Sequence, residues 1–303
     1  MSFSKKLMGG CLAAGMITAA GVVGASVTGP VEVSGEGAAA ASLSCPGGMT
    51  RLGHPFDAGM SIFPGDPAVH VRNLYTVAVD FFKVEDIDMG THAGTHIDVP
   101  AHFLDEADDS DDARTLDELH ADEFVWPAYK IDVRGMSFTD NFVDAAFIDG
   151  YVATNGPIPD GALVILQTGA EEFFGLDGPG DAHDTEKYKN KATKEKFVLS
   201  ANTDDMFEFE NAGFSGPAVQ HLFDTYGIAG VGSDAYGPDA FGDDFFDATY
   251  TALANDGIAL VALANLDSVS VNSDIIMAPA VNLTNGSGFP TDPLACHGGS
   301  SEE

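Results

Sequence analysis

Residues 92–103 read His92-Ala93-Gly94-Thr95-His96-Ile97-Asp98-Val99-Pro100-Ala101-His102-Phe103. The stretch concentrates three imidazoles and one carboxylate in a chain that has only 9 histidines among 303 residues. Pro100 has no amide proton and pushes Val99 toward extended geometry, so the segment is predicted to be extended rather than helical. Alternation along an extended chain then places the three histidines and the aspartate on one face. Imidazole and carboxylate together suit Zn²⁺, Mn²⁺ or Fe²⁺, which makes this face a candidate metal site; the alternative is a surface strand with a polar side.

The stretch resembles the signature His-x-Gly-Thr-His-x-Asp-x-Pro-x-His-Phe of the cyclase family of metal-dependent hydrolases, which includes bacterial kynurenine formamidase and isatin hydrolase. Shorter similarities extend the resemblance over nearly all of the chain from Leu52 to Cys296: His54-Pro55, Pro64-Gly65-Asp66-Pro67, Gly156-Pro157-Ile158-Pro159, Gln167-Thr168-Gly169, Asn265-Leu266-Asp267 and Gly286-Ser287-Gly288. The resemblance implies an α/β fold, in a single domain of the swivelling β/β/α type with a mixed sheet and flanking helices. It also implies a homodimer and a small N-formyl or cyclic amide as substrate.

The resemblance assigns roles to five residues of this chain. His92, His96 and Asp98 match the ligands of the family's first metal ion, and His102 matches its general acid or base. A divalent ion lowers the pKa of a bound water toward 7, and His102 follows closely enough in sequence to exchange a proton there. Phe63 matches a position where the family often has an aromatic side chain that stacks on aryl substrates; packing in the core is the alternative for this residue.

Family members with two metals take the second ion from a histidine and a glutamate, whose positions fall on Thr249 and Val261 here. Val261 cannot bind a metal and Thr249 would be a poor lone ligand, so one ion per chain is expected, Mn²⁺ or Zn²⁺. Asp234, Asp243 and Asp247 are candidates for a substituted ligand. The favoured hypothesis is a one-metal hydrolase, and the alternative is a secreted binding protein that kept the pocket but lost turnover.

The beginning of the chain predicts secretion. Residues 1–41 combine a short basic region with an uncharged apolar run and end in small residues that include Ala39-Ala40-Ala41, the pattern of a signal peptide, with a membrane anchor as the alternative. A flexible segment at 42–50, a hydrolase domain at 51–297 and a tail at 298–303 are expected to follow. The product is predicted to be extracellular or held in the cell envelope. There Cys45 and Cys296 could form one disulfide, or remain free thiols.

The charge of the chain excludes some partners. The formal net charge is −34, from 47 acidic and 13 basic side chains. Such a surface repels nucleic acid and anionic membranes, and it suggests adaptation to a saline environment. The acidic run at 105–112 is interpreted as a solvated face, with a calcium loop as the alternative.

Hydrophobic periodicity indicates alternating strands and helices, which is typical of α/β proteins. Strands are expected as a pair within 69–84 and at 126–133, 162–167, 230–234 and 257–264. Helices are expected at 115–122, 142–155, 217–226 (capped by Ser215) and 245–255. The polar stretch 171–205 is interpreted as a surface loop, with a lid over the site as the alternative.

Overall fold

A computed structural model describes residues 44–63, 66–104, 113–175, 210–243 and 245–298. Residues from Ser44 onward belong to one compact unit. The predicted signal peptide, the acidic run at 105–112 and most of the polar stretch at 171–205 lie outside the described residues. Within the described ranges, no helix is long and apolar enough to cross a membrane.

The secondary structure consists mainly of short strands. The described strands are β1 (Met49–Arg51), β2 (His70–Tyr75), β3 (Val84–Asp88), β4 (His96–Asp98), β5 (Val125–Asp132), β6 (Phe142–Val143), β7 (Leu163–Gln167), β8 (Gly213–Phe214), β9 (Gly230–Ser233), β10 (Ile258–Val261), β11 (Ile275–Met277), β12 (Gly288–Pro290) and β13 (Leu294–Cys296). The described α-helices are α1 (Val77–Asp80), α2 (Ala145–Asn155), α3 (Gly216–Tyr226) and α4 (Asp247–Ala254).

Nine of these strands form one mixed sheet in the order β1-β13-β11-β5-β7-β9-β10-β4-β12. The four central strands β5, β7, β9 and β10 run parallel to one another, and the strands on both sides of them pair antiparallel. Parallel neighbours need crossover connections, which α2, α3 and α4 supply along the chain. The predicted α/β class with a mixed sheet is confirmed.

Strand β7 shows how the core is divided. Its side chains alternate, so that Leu163 and Ile165 join one buried cluster while Val164 and Leu166 join another. A strand buried on both faces is continuously apolar, which explains the run at 162–167. Helices α2, α3 and α4 contribute to only one of the clusters. The other face is covered by loops and short 3₁₀ turns, so the expected flanking helices lie on one side of the sheet.

Most helix ends agree with the sequence expectations. Ser215 caps α3, since its hydroxyl accepts a hydrogen bond from the amide of Ala218 at 3.3 Å. Asp144 caps α2 in the same way by accepting from the amide of Phe147 at 2.8 Å. The helix expected from residue 142 therefore begins later, because Phe142–Val143 pairs with β8. The helix expected at 115–122 is wrong: the chain makes two 3₁₀ turns there.

The segment expected to be a flexible lead-in is fastened to the domain. Cys45 forms a disulfide with Cys296, as one of the two alternatives predicted. Residues 49–51 form β1, which pairs with β13. The prediction that 42–50 is flexible is therefore wrong for Met49 and Thr50. The Thr50 hydroxyl lies 2.8 Å from Nε2 of His297, whose Nδ1 lies 2.9 Å from the buried carboxylate of Asp274. These contacts hold the two ends of the domain together.

Strands β2 and β3, with α1 between them, form a separate two-stranded ribbon. Nine large apolar side chains of residues 71–87 are exposed, among them Val77 at 64%, Val79 at 76% and Phe81 at 92%. The first strand of the pair predicted within 69–84 is confirmed, but the position of the second is wrong, because Val77–Asp80 is helical and β3 begins only at Val84. The ribbon begins shortly after Asp66 and ends shortly before His92, so it is anchored beside the candidate site described next.

Candidate metal centre

Strand β4 carries the centre of the histidine-rich motif. It lies between β10 and β12, where Asp98 is opposite Ala259 and Gly288, and His96 is opposite Val261 and Pro290. Ile97 points the other way into the core and is fully buried. The prediction that His96 and Asp98 share one face is therefore confirmed.

Outside β4, the motif is not extended, and this part of the sequence expectation is wrong. Gly94 has φ of +63°, so the chain bends there and brings His92 back toward β4. Pro100–His102 forms a 3₁₀ turn, because Pro100 is compatible with the first position of a helix. The turn places the ring of His102 parallel to that of His92, with the ring centroids 3.9 Å apart. Two turns, rather than strand alternation, bring the three imidazoles together.

His92, His96 and Asp98 could hold a metal ion. Each offers one ligand atom, and these atoms all lie within 4.8 Å of one another. Oδ1 of Asp98 lies 2.8 Å from Nδ1 of His92 and 3.2 Å from Nε2 of His96. Ligands of a tetrahedral zinc ion, each about 2.1 Å from the metal, are spaced by roughly 3.4 Å. The donor set and its spacing therefore fit a divalent ion.

In His92 and His96, the ring nitrogen that does not face Asp98 has a hydrogen-bond partner of its own. Nε2 of His92 lies 2.9 Å from the hydroxyl of Ser287, and Nδ1 of His96 lies 2.7 Å from the carbonyl oxygen of Gly94. Such bonds orient a metal-binding imidazole and fix its tautomer. A Cβ on Gly288 would come within 2.5 Å of Cε1 of His92, so only glycine leaves room for this imidazole. Ser287 and Gly288 were noted in the sequence as part of the family resemblance, but no pattern indicated that they position His92.

Electrostatics at the site favour an ionised carboxylate. Burial alone would raise the pKa of Asp98, but the charge of His96 and the hydrogen bonds from His92 and His96 hold this pKa well below its ordinary value. For His96, burial acts to lower the pKa, while the charge and hydrogen bond of Asp98 leave it raised. The site thus stabilises negative charge on Asp98 and positive charge beside it, as a cation-binding site requires.

His102 is well placed to transfer a proton. His102 is exposed at the edge of the cavity, although the rings of His92 and Phe103 cover much of its imidazole. This partial burial, together with the charges of His92 and His96, lowers the pKa of His102 to about 4, although Asp98 opposes the shift. The imidazole is therefore uncharged near neutral pH, and one of its nitrogens can accept a proton.

A cavity of about 250 Å³ opens in front of the triad. Beside the three candidate ligands and His102, its lining contains a group of aromatic residues and a group of polar ones: Phe63, Phe103, Tyr236 and Phe246, then Asp66, Asp239 and Thr249. The structure thus brings all five residues predicted for the site to one cavity. Among the described residues no lysine or arginine lines it. Asp239 and Phe246 belong to no motif, and single-sequence patterns could not have found them.

The positions expected for a second metal differ in their surroundings. Thr249 lies in the cavity lining, and its hydroxyl donates a short hydrogen bond to Asp239. Val261 is buried in a small apolar cluster with Ala170, Ala235 and Ala262.

None of the suggested substitute ligands lines the cavity among the described residues. Asp234 accepts hydrogen bonds from Thr168 and Gly169, and Asp243 accepts from the amides of Phe245 and Asp247. The structure therefore gives no support to Asp234, Asp243 or Asp247 as a substituted ligand at this cavity. The acidic side chains that do line the cavity beside Asp98 are Asp66 and Asp239.

Comparison with known proteins identifies the family of this chain. The isatin hydrolase of Roseibium aggregatum is 27% identical over 233 residues, which cover 75% of this chain and 80% of that protein. Isatin hydrolase A from Labrenzia aggregata, bound to benzyl benzoate, superposes with a TM-score of 0.63 at 23% identity, covering 82% of this chain and 92% of that one. An isatin hydrolase bound to the product analogue thioisatinate gives a TM-score of 0.65 at 22% identity, covering 82% and 91%. At these identities, the two structures show a shared fold. The model of the family described as "Putative cyclase" matches residues 50–240, more than half of the chain, and the chain therefore belongs to the cyclase family.

Proposed function

We propose that this protein is a metal-dependent hydrolase that cleaves the C–N bond of a small cyclic or N-formyl aryl amide with one divalent ion, Mn²⁺ or Zn²⁺, per chain. The convergence of His92, His96 and Asp98 beside His102 is the observation that carries the proposal. A divalent ion bound there supplies Lewis acidity and an activated water. The relationship to isatin hydrolase supports a cyclic amide as one substrate class.

In this proposal, His102 moves the proton. It is uncharged near neutral pH, so it can accept a proton from the water that attacks the amide carbon. The C–N bond then breaks, and the same imidazolium returns the proton to the leaving nitrogen. The products are a carboxylic acid and an amine, and water is the only co-reactant. Stacking on His92 holds the His102 ring beside the candidate ligands throughout.

The cavity favours substrates without a negative charge of their own. Asp66 and Asp239 line it in addition to Asp98, and no described lysine or arginine is available to pair with an anionic substituent. A divalent ion would offset the charge of Asp98, so Asp66 and Asp239 are the groups that would repel an anionic substituent directed away from the ion. On that side of the cavity, uncharged aryl groups fit the lining better than groups with a carboxylate.

The test is hydrolysis of isatin, N-formylkynurenine and N-phenylformamide by protein loaded with Mn²⁺ or Zn²⁺, in high-salt buffer because the net charge is −34. Turnover of at least one substrate by the wild type, lost in His102→Ala with metal content unchanged, is the expected result. Metal binding without turnover of any member of the panel would instead favour the non-catalytic binding protein.

The compartment proposed for this activity is extracellular or the cell envelope. The Cys45–Cys296 disulfide supports it, since structural disulfides persist mainly in oxidising compartments. Protein isolated from the medium or envelope should begin between about residues 39 and 45, close to the predicted cleavage at 41. An intact Met1 on protein isolated from the cytoplasm would contradict secretion.

The proposed assembly is a homodimer that covers the exposed ribbon of β2 and β3. A two-stranded ribbon is marginally stable alone, and a contiguous apolar patch marks an interaction surface. Light scattering after gel filtration should give twice the chain mass for wild type and a single mass for Val79→Asp. Replacing the exposed Tyr250, which lies in α4 outside the ribbon, by Asp is the control and should leave the dimer intact. A monomeric wild type would refute the dimer.

A further inference from the structure

The residue before helix α4 has an unusual backbone conformation. Phe246 has φ of +55° and ψ of +45°, in the left-handed region that bulky side chains rarely adopt. Such conformations are costly, persist only where their surroundings enforce them, and cluster at functional sites. Phe246 also lines the cavity in front of the candidate metal ligands.

Asp239 caps the second and third residues of α4, while Asp243 accepts from the amide of the first, Asp247. Its carboxylate accepts hydrogen bonds from the amides of Ala248 at 2.9 Å and Thr249 at 3.0 Å, and from the hydroxyl of Thr249. The residue that precedes a helix usually makes such bonds with its own side chain, but Phe246 makes none. Because Asp239, earlier in the same connection between β9 and α4, caps the helix, the side chain at 246 is not needed as a cap and can be aromatic and face the cavity.

The ring of Phe246 joins the aromatic walls into one surface. Its centroid lies 5.9 Å from that of Phe63, with an interplanar angle of 70°, and 6.2 Å from that of Phe103, with an angle of 62°. Phe103 in turn meets the ring of His102 edge-on at 4.8 Å. These are the separations and angles of favourable aromatic pairs. An aromatic surface therefore runs from Phe246 to the imidazole proposed to move the proton.

We infer that Phe246 is a specificity-determining residue that selects substrates with a flat aryl ring over substrates with a saturated ring of similar size. The inference rests on the proposed function and deepens it, because it assigns the substrate class to a residue outside the family motif. Its basis is the left-handed backbone of Phe246, the cap from Asp239, and the ring contacts with Phe63 and Phe103.

Two formamides that differ only in the ring provide the test. N-phenylformamide and N-cyclohexylformamide have the same reacting group, so the ratio of their kcat/KM values measures selection at the ring. Phe246→Gly removes the side chain without disturbing the backbone, since glycine adopts positive φ freely. The matched control is Phe245→Ala, whose side chain is 78% exposed and does not line the cavity.

For Mn²⁺-loaded protein, Phe246→Gly should lower the phenyl-to-cyclohexyl ratio by about threefold to tenfold, the worth of one aromatic pair. The loss should arise mainly from a higher KM for the phenyl substrate, with metal content unchanged and a smaller loss for the cyclohexyl substrate. Phe245→Ala should leave the ratio as in wild type. An unchanged ratio in Phe246→Gly, or an equal loss for both substrates, would overturn the inference.

A binding measurement separates this inference from the proposed hydrolysis. If the wild type hydrolyses neither formamide, the proposed function fails for this class, and titration calorimetry with benzamide and cyclohexanecarboxamide replaces the kinetic ratio. Tighter binding of benzamide by wild type, reduced in Phe246→Gly, would uphold the role of Phe246 without turnover. Equal affinities for the two amides, or no binding of either, would overturn it.

Discussion

Replacing Gly288 by alanine tests how the sheet positions a metal ligand. The new Cβ would lie 2.5 Å from Cε1 and 2.9 Å from Nδ1 of His92, and 2.5 Å from the carbonyl oxygen of Ile97. Ordinary contact begins at 3.4 Å, so the imidazole must move, and β12 must also shift away from β4 because the carbonyl of Ile97 is equally close. Movement of the imidazole disturbs the 2.8 Å contact of Nδ1 of His92 with Oδ1 of Asp98, and movement of β12 disturbs the 2.9 Å contact of Nε2 with the hydroxyl of Ser287.

Disturbing the groups that orient a metal ligand typically weakens metal binding by roughly 10- to 100-fold. We expect a loss of that size for Gly288→Ala, which corresponds to about 1.4 to 2.7 kcal/mol. Competition with a chromogenic chelator measures the affinity for Zn²⁺ or Mn²⁺. The control is Gly150→Ala in α2, where a Cβ meets nothing within 4 Å, and it should bind metal like wild type. Equal affinity of wild type and Gly288→Ala would refute the argument that His92 is a ligand held in place by this strand.

Two further predictions concern stability. Burial raises the pKa of Asp239 from 3.8 to about 6, so the folded protein binds its proton more tightly than the unfolded chain does. The free energy of unfolding should therefore fall as pH rises from about 4 to 6, by up to about 3 kcal/mol from this group. Asp239→Asn should lack that component in urea titrations across this range, and identical pH profiles for both proteins would contradict it. Reduction of Cys45–Cys296 should lower the free energy of unfolding by about 2–4 kcal/mol. The double variant Cys45→Ser/Cys296→Ser is the control, and reductant should not change its free energy of unfolding. If reductant also leaves the free energy of unfolding of the wild type unchanged, the bond adds no stability.

The sequence predicts those parts of the structure that are determined by residues close to one another in the chain. The apolar run of β7, the Ser215 cap of α3 and the alternation within β4 all follow from side chains a few residues apart. The candidate metal-binding histidines were found because one short motif contains them. Their convergence was predicted for the wrong reason, since turns at Gly94 and Pro100 bring them together rather than an extended chain.

The remaining features depend on contacts that no short sequence pattern records. Gly288 and Ser287 reach His92 across almost 200 residues, and only the pairing of β12 with β4 brings them there. Asp239 caps a helix that begins eight residues later, so its carboxylate has no signature in a local pattern. The left-handed conformation of Phe246 is likewise imposed by its surroundings, because the residue type alone disfavours it.

The central claim is that His92, His96 and Asp98 hold one divalent ion and that His102 acts beside it without binding it. The most direct measurement is the metal content per chain by mass spectrometry, for wild type, His96→Ala and His102→Ala dialysed against Mn²⁺ or Zn²⁺. Close to one ion per chain is expected in wild type and His102→Ala, and almost none in His96→Ala, because the two ligands left would hold the ion poorly. Two tightly held ions in wild type, or a full complement in His96→Ala, would contradict it.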